Sequence, residues 1–317
     1  METLYLVIPC YNEEEMLPIT AKALVEKMGT LIEEQKIAPD SKVMLVDDGS
    51  KDSTWDIIEK LHASIPLFTG VKLSRNKGHQ NALLAGLMTA KDYADIIVSM
   101  DADLQDDINA IDGFLEKRAE GCDIVYGVRS SREKDTAFKR GTAQGYYKLL
   151  EKMGVEITYN HADYRLMSKR AVEALAEFKE VNLFLRGLVP MVGFKSDVVT
   201  YVRAERQAGE SKYPLKKMLM FAIEGITSLS VKPIRFITAI GAGVLAISFI
   251  LFICFIVHLF TGTARGNWAI LFSVWMFSGL ILTSLGVVGE YIGKIYLETK
   301  ERPKFIIEKN LEEEQGE

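Results

Sequence analysis

The stretch Ile96-Ile97-Val98-Ser99-Met100-Asp101-Ala102-Asp103-Leu104-Gln105-Asp106-Asp107 decides how the chain is read. An apolar run enters it and a cluster of acids ends it. That order predicts a buried parallel strand with carboxylates at its C-terminal tip, the edge where open α/β sheets place their ligands. Asp101 and Asp103, one residue apart, suit a hard divalent cation that also holds a diphosphate. The competing reading is a solvated acidic turn, since acids are common in turns. The neighbouring stretches decide between the two.

Upstream, Leu4-Tyr5-Leu6-Val7-Ile8 is an apolar run closed by Pro9, a strand that stops where proline removes a donor. The polar turn Pro9-Cys10-Tyr11-Asn12-Glu13-Glu14 follows, then a helical pattern over 16–35. This turn has no G-x-G-x-x-G, which argues against a dinucleotide fold. Its Tyr11 can stack on a base and its Glu13 can hydrogen-bond a nucleoside. A second strand, Val43-Met44-Leu45-Val46, also ends in acids, Asp47-Asp48-Gly49-Ser50-Lys51-Asp52. Asp47 is assigned to a ligand, and Asp52 or Ser53 to capping a helix over 54–64. A third strand over 71–73 runs into Ser74-Arg75-Asn76-Lys77-Gly78-His79-Gln80. This basic, glycine-containing turn opens a helix over 81–90 and suits an anion. His79 by itself is not read as a ligand.

After the acidic stretch come a helix over 106–120 and a fifth strand over 123–128, which runs into Arg129, Arg132, Lys134, Lys139 and Arg140. An amphipathic helix includes 146–150. The run Asn160-His161-Ala162-Asp163-Tyr164-Arg165-Leu166-Met167 receives no element. A helix over 169–178, a strand over 198–203 and a charged loop over 205–213 complete the polar part.

At 317 residues the chain suits one domain of about 220 residues plus something else. That remainder includes apolar stretches at 234–260 and 268–289, the first holding only Arg235 as a formal charge and the second none. Each is long enough to cross a hydrocarbon core of about 30 Å. Lys216, Lys217, Lys232 and Arg235 stand at the start of the first; Lys294, Lys300, Arg302, Lys304 and Lys309 follow the second; the linking loop 261–267 holds only Arg265. The bias places both termini and the large N-terminal domain in the cytoplasm, at the inner membrane. Residues 214–229 separate Lys216 and Lys217 from Met218, Phe221, Ala222 and Ile226, as in an interfacial helix lying on a membrane. Met1-Glu2-Thr3 leads directly into a strand, so no signal peptide is expected. Cys10, Cys122 and Cys254 are scattered and odd in number, which predicts reduced thiols. The net charge of −5 hides an acidic tail, Glu312-Glu313-Glu314, and no nucleic-acid partner is expected.

Six of these stretches, in order, carry a resemblance: residues 8–13, 46–52, 75–78, 101–105, 163–167 and 203–213. With the two apolar spans they resemble the polyisoprenyl-phosphate glycosyltransferases of glycosyltransferase family 2. That group includes dolichol-phosphate mannose synthase and the bactoprenol glucosyltransferases. The resemblance implies an α/β chain: a GT-A (Rossmann-like, mostly parallel sheet) catalytic domain over 1–213, then an amphipathic interfacial helix over 214–232. A two-helix transmembrane hairpin over 233–293 and a cytoplasmic tail over 294–317 follow. It implies an inverting transfer of one sugar from a nucleotide-diphosphate sugar, UDP-glucose or UDP-N-acetylglucosamine, to a membrane polyprenyl (undecaprenyl) phosphate. It also implies a homo-oligomer, with a tetramer among the options.

Residue by residue, the resemblance gives the nucleotide to Asp47 with Pro9, Tyr11, Asn12, Glu13 and Lys77. Asp101 and Asp103, with Gln105, would hold Mg²⁺ or Mn²⁺. Arg129, Arg140, Arg203, Arg206 and Lys212 would gather at the acceptor phosphate, and Asp163 joins Asp101 and Asp103 as a catalytic residue. A phosphate monoester with a second pKa of about 6 is already a nucleophile near neutrality. Asp163 is therefore read as orienting sugar or acceptor; a base role is the alternative from resemblance, and pairing with Arg165 or capping a helix is the structural one. Two other functions compete. A processive polysaccharide synthase would want a Gln-x-x-Arg-Trp motif and more spans, and the chain has no Arg-Trp pair. A catalytically silent nucleotide-sugar-binding membrane protein would not need intact Asp101 and Asp103.

Overall fold

The structure is a computed structural model that describes residues 1–129, 161–180, 184–202 and 268–313, with isolated helical positions between 234 and 253. Apolar runs become the central strands. Strand β1 (Leu4–Cys10) is buried at every position, as expected of a strand covered on both faces. It pairs in parallel with β2 (Lys42–Asp47) on one side and β4 (Ile96–Ser99) on the other, and β2 pairs in parallel with β3 (Phe68–Leu73). Beyond β4 lie β6 (His161–Ser168), antiparallel to both its neighbours, then β5 (Ile124–Arg129) and β7 (Ser196–Tyr201). β8 (Ile307–Asn310) adds antiparallel to β3. The order is β7-β5-β6-β4-β1-β2-β3-β8, so the C-terminal tips of β1 to β5 share one edge. This is the GT-A-like, mostly parallel α/β sheet expected.

Helices α1 (Leu17–Glu33), α2 (Thr54–Ser64) and α4 (Ala110–Ala119) bury Leu24, Ile58 and Phe114 with Leu6, Leu45 and Val98 on one face. Helices α3 (His79–Ala90), α5 (Lys169–Ala176) and α6 (Leu185–Met191) bury Leu83, Val172 and Leu188 with Val7, Val46 and Ile97 on the other. Helix α3 crosses β1 and β2 at Gly86. A Cβ there would fall 2.4 Å from Val7 Cγ1 and 2.7 Å from Val46 Cγ2.

Three elements differ from the sequence reading. Residues 161–168 form a strand, although Asp163 and Arg165 break its apolar pattern; the two pair with each other, and Arg186 adds a second cation from elsewhere in the fold. Helix α4 begins at Ala110, because residues 101–109 stay in a loop. The charged run Ile307-Glu308-Lys309-Asn310, read as tail, is an edge strand, where charge is the common protection against stray pairing. Leu311 is buried in the core beside it. Glu312 accepts hydrogen bonds from Lys42 Nζ at 2.6 Å and Tyr5 Oη at 2.8 Å.

Helix α7 (Trp268–Thr299) has 32 residues, about 48 Å at 1.5 Å per residue. It exposes Ile281, Leu282, Leu285, Ile292 and Ile295. Among the described residues it is the one helix long and apolar enough to cross a membrane, the candidate span being Met276–Thr299. Most of the other apolar stretch, together with 203–233 and 254–267, lies outside the described residues.

Candidate active site

At the sheet edge the β1–α1 and β2–α2 turns are laced together. Asn12 N donates to Ser50 Oγ at 3.0 Å, and Lys51 N donates to Asn12 Oδ1 at 2.9 Å. Glu13 N donates to Thr54 Oγ1 at 2.9 Å, and Ser53 N to Glu14 Oε2 at 3.0 Å. Asn12 holds this frame at φ 53°, in the left-handed region that asparagine tolerates. Pro9 is buried, while Tyr11 stands 37% exposed at the mouth. Asp47 is buried at the tip of β2 and accepts from Ser50 N at 3.2 Å. Burial pushes its carboxyl up, against the Ser50 hydrogen bonds.

Asp48 closes this end. Its carboxylate accepts from Lys77 N at 2.7 Å and Gly78 N at 2.9 Å, clamping the turn after β3 against the tip of β2. Gly49 makes the clamp sterically possible. It lies at φ 65°, and a Cβ there would come within 2.6 Å of Arg75 C and Asn76 N. Asp48 was not among the sequence-assigned residues, although it stands inside the quoted motif. Lys77 is placed beside the tip of β2 by its backbone.

The strand register builds the centre. Ser99 pairs with Arg165 in the antiparallel β4–β6 ladder, so Asp163 comes level with Asp101, each two residues further toward the same edge. Ser99 Oγ donates to the Asp163 carbonyl at 2.5 Å. Asp101 Oδ1 lies 3.0 Å from His79 Nε2, both side chains part-exposed at 37% and 42%. Burial opposes charge on both groups, yet their mutual contact lowers the Asp101 carboxyl and raises the His79 imidazole, with Asp163 adding to the latter. Asp103 accepts from Gln105 N at 3.2 Å across the turn at Leu104, φ 51°.

Asp163 carries two guanidinium groups. Arg186 grips it in a fork, Nε to Oδ1 at 3.2 Å and Nη2 to Oδ2 at 3.1 Å. Arg165 Nη2 donates to Oδ1 at 2.5 Å. Burial pushes the Asp163 carboxyl up, but the charges of Arg186 and Arg165 outweigh it and hold it well below the usual carboxylate range. Arg165 is 2% exposed, and its Nε and Nη1 have no partner among the described residues. Arg186 gave no signal in the sequence, because α6 is a seven-residue helix interrupted by Pro190.

Arg129 ends β5 beside Tyr201. Its Nη2 lies 3.4 Å from Asp106 Oδ1, which also accepts from Tyr201 Oη at 2.5 Å. Arg129 is therefore at the expected edge but tied to a buried aspartate that sequence reading did not single out. Arg140, Arg203, Arg206 and Lys212 lie outside the described residues.

Among the described residues no three His, Cys, Asp or Glu side chains converge as a metal cage. Asp101 and Asp103 are part-exposed oxygen donors beyond the tip of β4, the ligand type that suits a hard cation completing its shell with phosphate oxygens and water. Two carboxylates at an accessible sheet edge fit Mg²⁺ or Mn²⁺ shared with a diphosphate.

A family model, Glycosyl transferase family 2, matches residues 5–176. An uncharacterized glycosyltransferase of Bacillus subtilis (strain 168), YkoT, is 52% identical over 98% of this chain and 93% of its own length. The SfII prophage-derived bactoprenol glucosyl transferase of Shigella flexneri is 42% identical over 96% of this chain and 97% of its own. Among solved structures, the glucosyl-3-phosphoglycerate synthase of Mycobacterium tuberculosis, in complex with Mn²⁺, UDP and glucosyl-3-phosphoglycerate, overlaps at TM-score 0.45. It is 16% identical, over 72% of this chain and 78% of that one. With the family model spanning more than half of the sequence and the bactoprenol glucosyl transferase matching nearly end to end, the chain belongs to glycosyl transferase family 2, and it is a glycosyltransferase of the bactoprenol glucosyl transferase-like kind.

Proposed function

We propose that the protein transfers a single sugar, with inversion, from a nucleotide-diphosphate sugar to a membrane polyprenyl phosphate, with UDP-glucose and UDP-N-acetylglucosamine the leading donors. The observation that carries the reading is the alignment of three groups of polar residues along one sheet edge. Laced turns stand at β1 to β3, a carboxylate pair at β4, and an aspartate with two arginines at β6. The near full-length likeness to bactoprenol glucosyl transferases supports the lipid acceptor.

In this reading Tyr11, Glu13 and Asp47 receive the nucleoside, while Asp48 holds the Lys77–Gly78 turn beside it. Asp101 and Asp103 would hold Mg²⁺ or Mn²⁺, which when bound supplies charge neutralisation for the departing diphosphate. The acceptor phosphate attacks the anomeric carbon from the opposite face as the bond to the diphosphate breaks, which inverts the centre. No protein base is required, because the phosphate is already ionised and Asp163 is held by its arginines. The apolar helix α7 and the stretch 234–260 anchor the chain in the inner membrane, both ends cytoplasmic.

The test is incubation of purified full-length protein with a panel of labelled nucleotide sugars and undecaprenyl phosphate, followed by lipid extraction. One donor should label the lipid, EDTA should abolish labelling, and Mn²⁺ or Mg²⁺ should restore it. Labelling that persists in chelator overturns the metal assignment; long polymer in place of a single sugar overturns single transfer.

A further inference from the structure

We propose that Arg186 grips the phosphate of the acceptor, and that Asp163 is the resting partner it leaves when that phosphate arrives. This rests on the acceptor reading above. Two guanidinium groups meet at one carboxylate, and they are not equivalent. The Arg165 side chain is 2% exposed, from the middle of β6; that of Arg186 is 34% exposed, from α6 at the rim. If Arg186 leaves, Asp163 keeps Arg165, so no buried charge is stranded, which is the usual reason such a pair resists opening.

Its place on the sheet selects the acceptor over the donor. In the order β5-β6-β4-β1-β2-β3, the laced nucleotide turns lie on one side of β4 and Asp163 on the other. A donor lying across β1, β2 and β4 turns its sugar toward β6, where the attacking group must come. Helix α6 is pinned there: Leu185 N donates to Gln80 Oε1 at 2.9 Å, in the first turn of α3, next to His79. The edge is crowded with Asp101, Asp103, Asp106 and Asp163, a hostile field for a dianionic phosphate. Of the other arginines described on the β5–β6 side of this edge, Arg165 is buried and Arg129 is paired with Asp106. The planar fork that holds a carboxylate by two N–H groups presents the same geometry to a phosphate, so the exchange keeps both hydrogen bonds.

The experiment uses full-length protein in nanodiscs, with initial rates measured against polyprenyl phosphate concentration at saturating donor. Nucleotide-sugar affinity is measured by calorimetry and folding by thermal melting. Arg186→Gln should raise the KM for polyprenyl phosphate about 10- to 100-fold, the loss of a charge-assisted bidentate grip, with donor affinity and melting temperature near wild type. Arg186→Lys should recover only part of the loss. Asp163→Asn, which frees Arg186, should retain or tighten acceptor binding measured directly, whatever its rate.

Unchanged acceptor dependence in Arg186→Gln overturns the proposal, as does a loss confined to donor affinity. If Arg186→Gln does not fold, the other two variants decide: the proposal falls if Arg186→Lys matches wild type on the lipid or Asp163→Asn loses acceptor binding. A wild-type chain that glycosylates no polyprenyl phosphate overturns the acceptor reading and this inference with it. An active wild type with an unaffected Arg186→Gln overturns this inference alone.

Discussion

Asp163 and Asp48 show how single carboxylates are put to different uses by what surrounds them. Asp163, held by Arg186 and Arg165 below its ordinary range, is ionised throughout the neutral region. For a depressed carboxyl the stabilisation is fully present above the unfolded value of about 4 and is lost as pH falls through the folded one. Between about pH 5 and 8 Asp163 should therefore contribute no slope to stability or, in the free enzyme, to kcat/KM. A pH–rate profile checks this: an acid limb in that window that vanishes in Asp163→Asn would assign it a base role instead. Asp48 is a positioning residue, its two oxygens spent on backbone amides of the β3–α3 turn. Asp48→Ala should cost about 2–3 kcal/mol, on the scale of lost hydrogen bonds to a charged group. It should also weaken donor binding more than acceptor use, read by denaturant melts and calorimetry.

At the scale of elements, the fit of α3 and β8 against the sheet is the sensitive feature. Gly86→Val should clash with Val7 and Val46 and cost about 1–3 kcal/mol by overpacking; a melting temperature equal to wild type would show that α3 can lift off β1 without loss. β8 joins the segment after the apolar helix to the catalytic sheet. Ser74 N donates to Ile306 O at 3.0 Å, Leu311 N to Gly70 O at 2.9 Å, and Lys304 Nζ to Phe178 O at 3.1 Å. Ser74 opens the turn that Asp48 clamps, so the edge strand and the β3–α3 turn share a support. Leu311→Ala should cost about 2–4 kcal/mol and raise the KM for donor, measured in detergent-purified protein. An unchanged melt would mean the edge strand adds nothing to the sheet.

For the whole molecule, the sheet brings distant segments of chain to one edge, and β8 ties that sheet to the chain leaving the apolar helix α7. A cysteine introduced within 261–267 should react with an impermeant maleimide in intact cells, while one after Lys309 should react only after lysis. The reverse pattern would overturn the proposed topology. The amino-acid sequence by itself determined the strand–turn–helix rhythm and the acids at the tips of β2 and β4, because apolar runs and turn chemistry are local. It also determined the apolar helix, since length and composition suffice. The partners of those acids were decided by tertiary structure. His79 meets Asp101 from 22 residues away, Arg186 meets Asp163 from 23, and Tyr201 meets Asp106 from 95. The strand at 161–168 was hidden because charges inside it violate the local pattern: Asp163 and Arg165 are tolerated there because they pair with each other and folding adds Arg186 to the same carboxylate. The charged edge strand β8 was equally invisible. Its place is set by the free edge of β3 and the pocket for Leu311, which exist only once the sheet has formed.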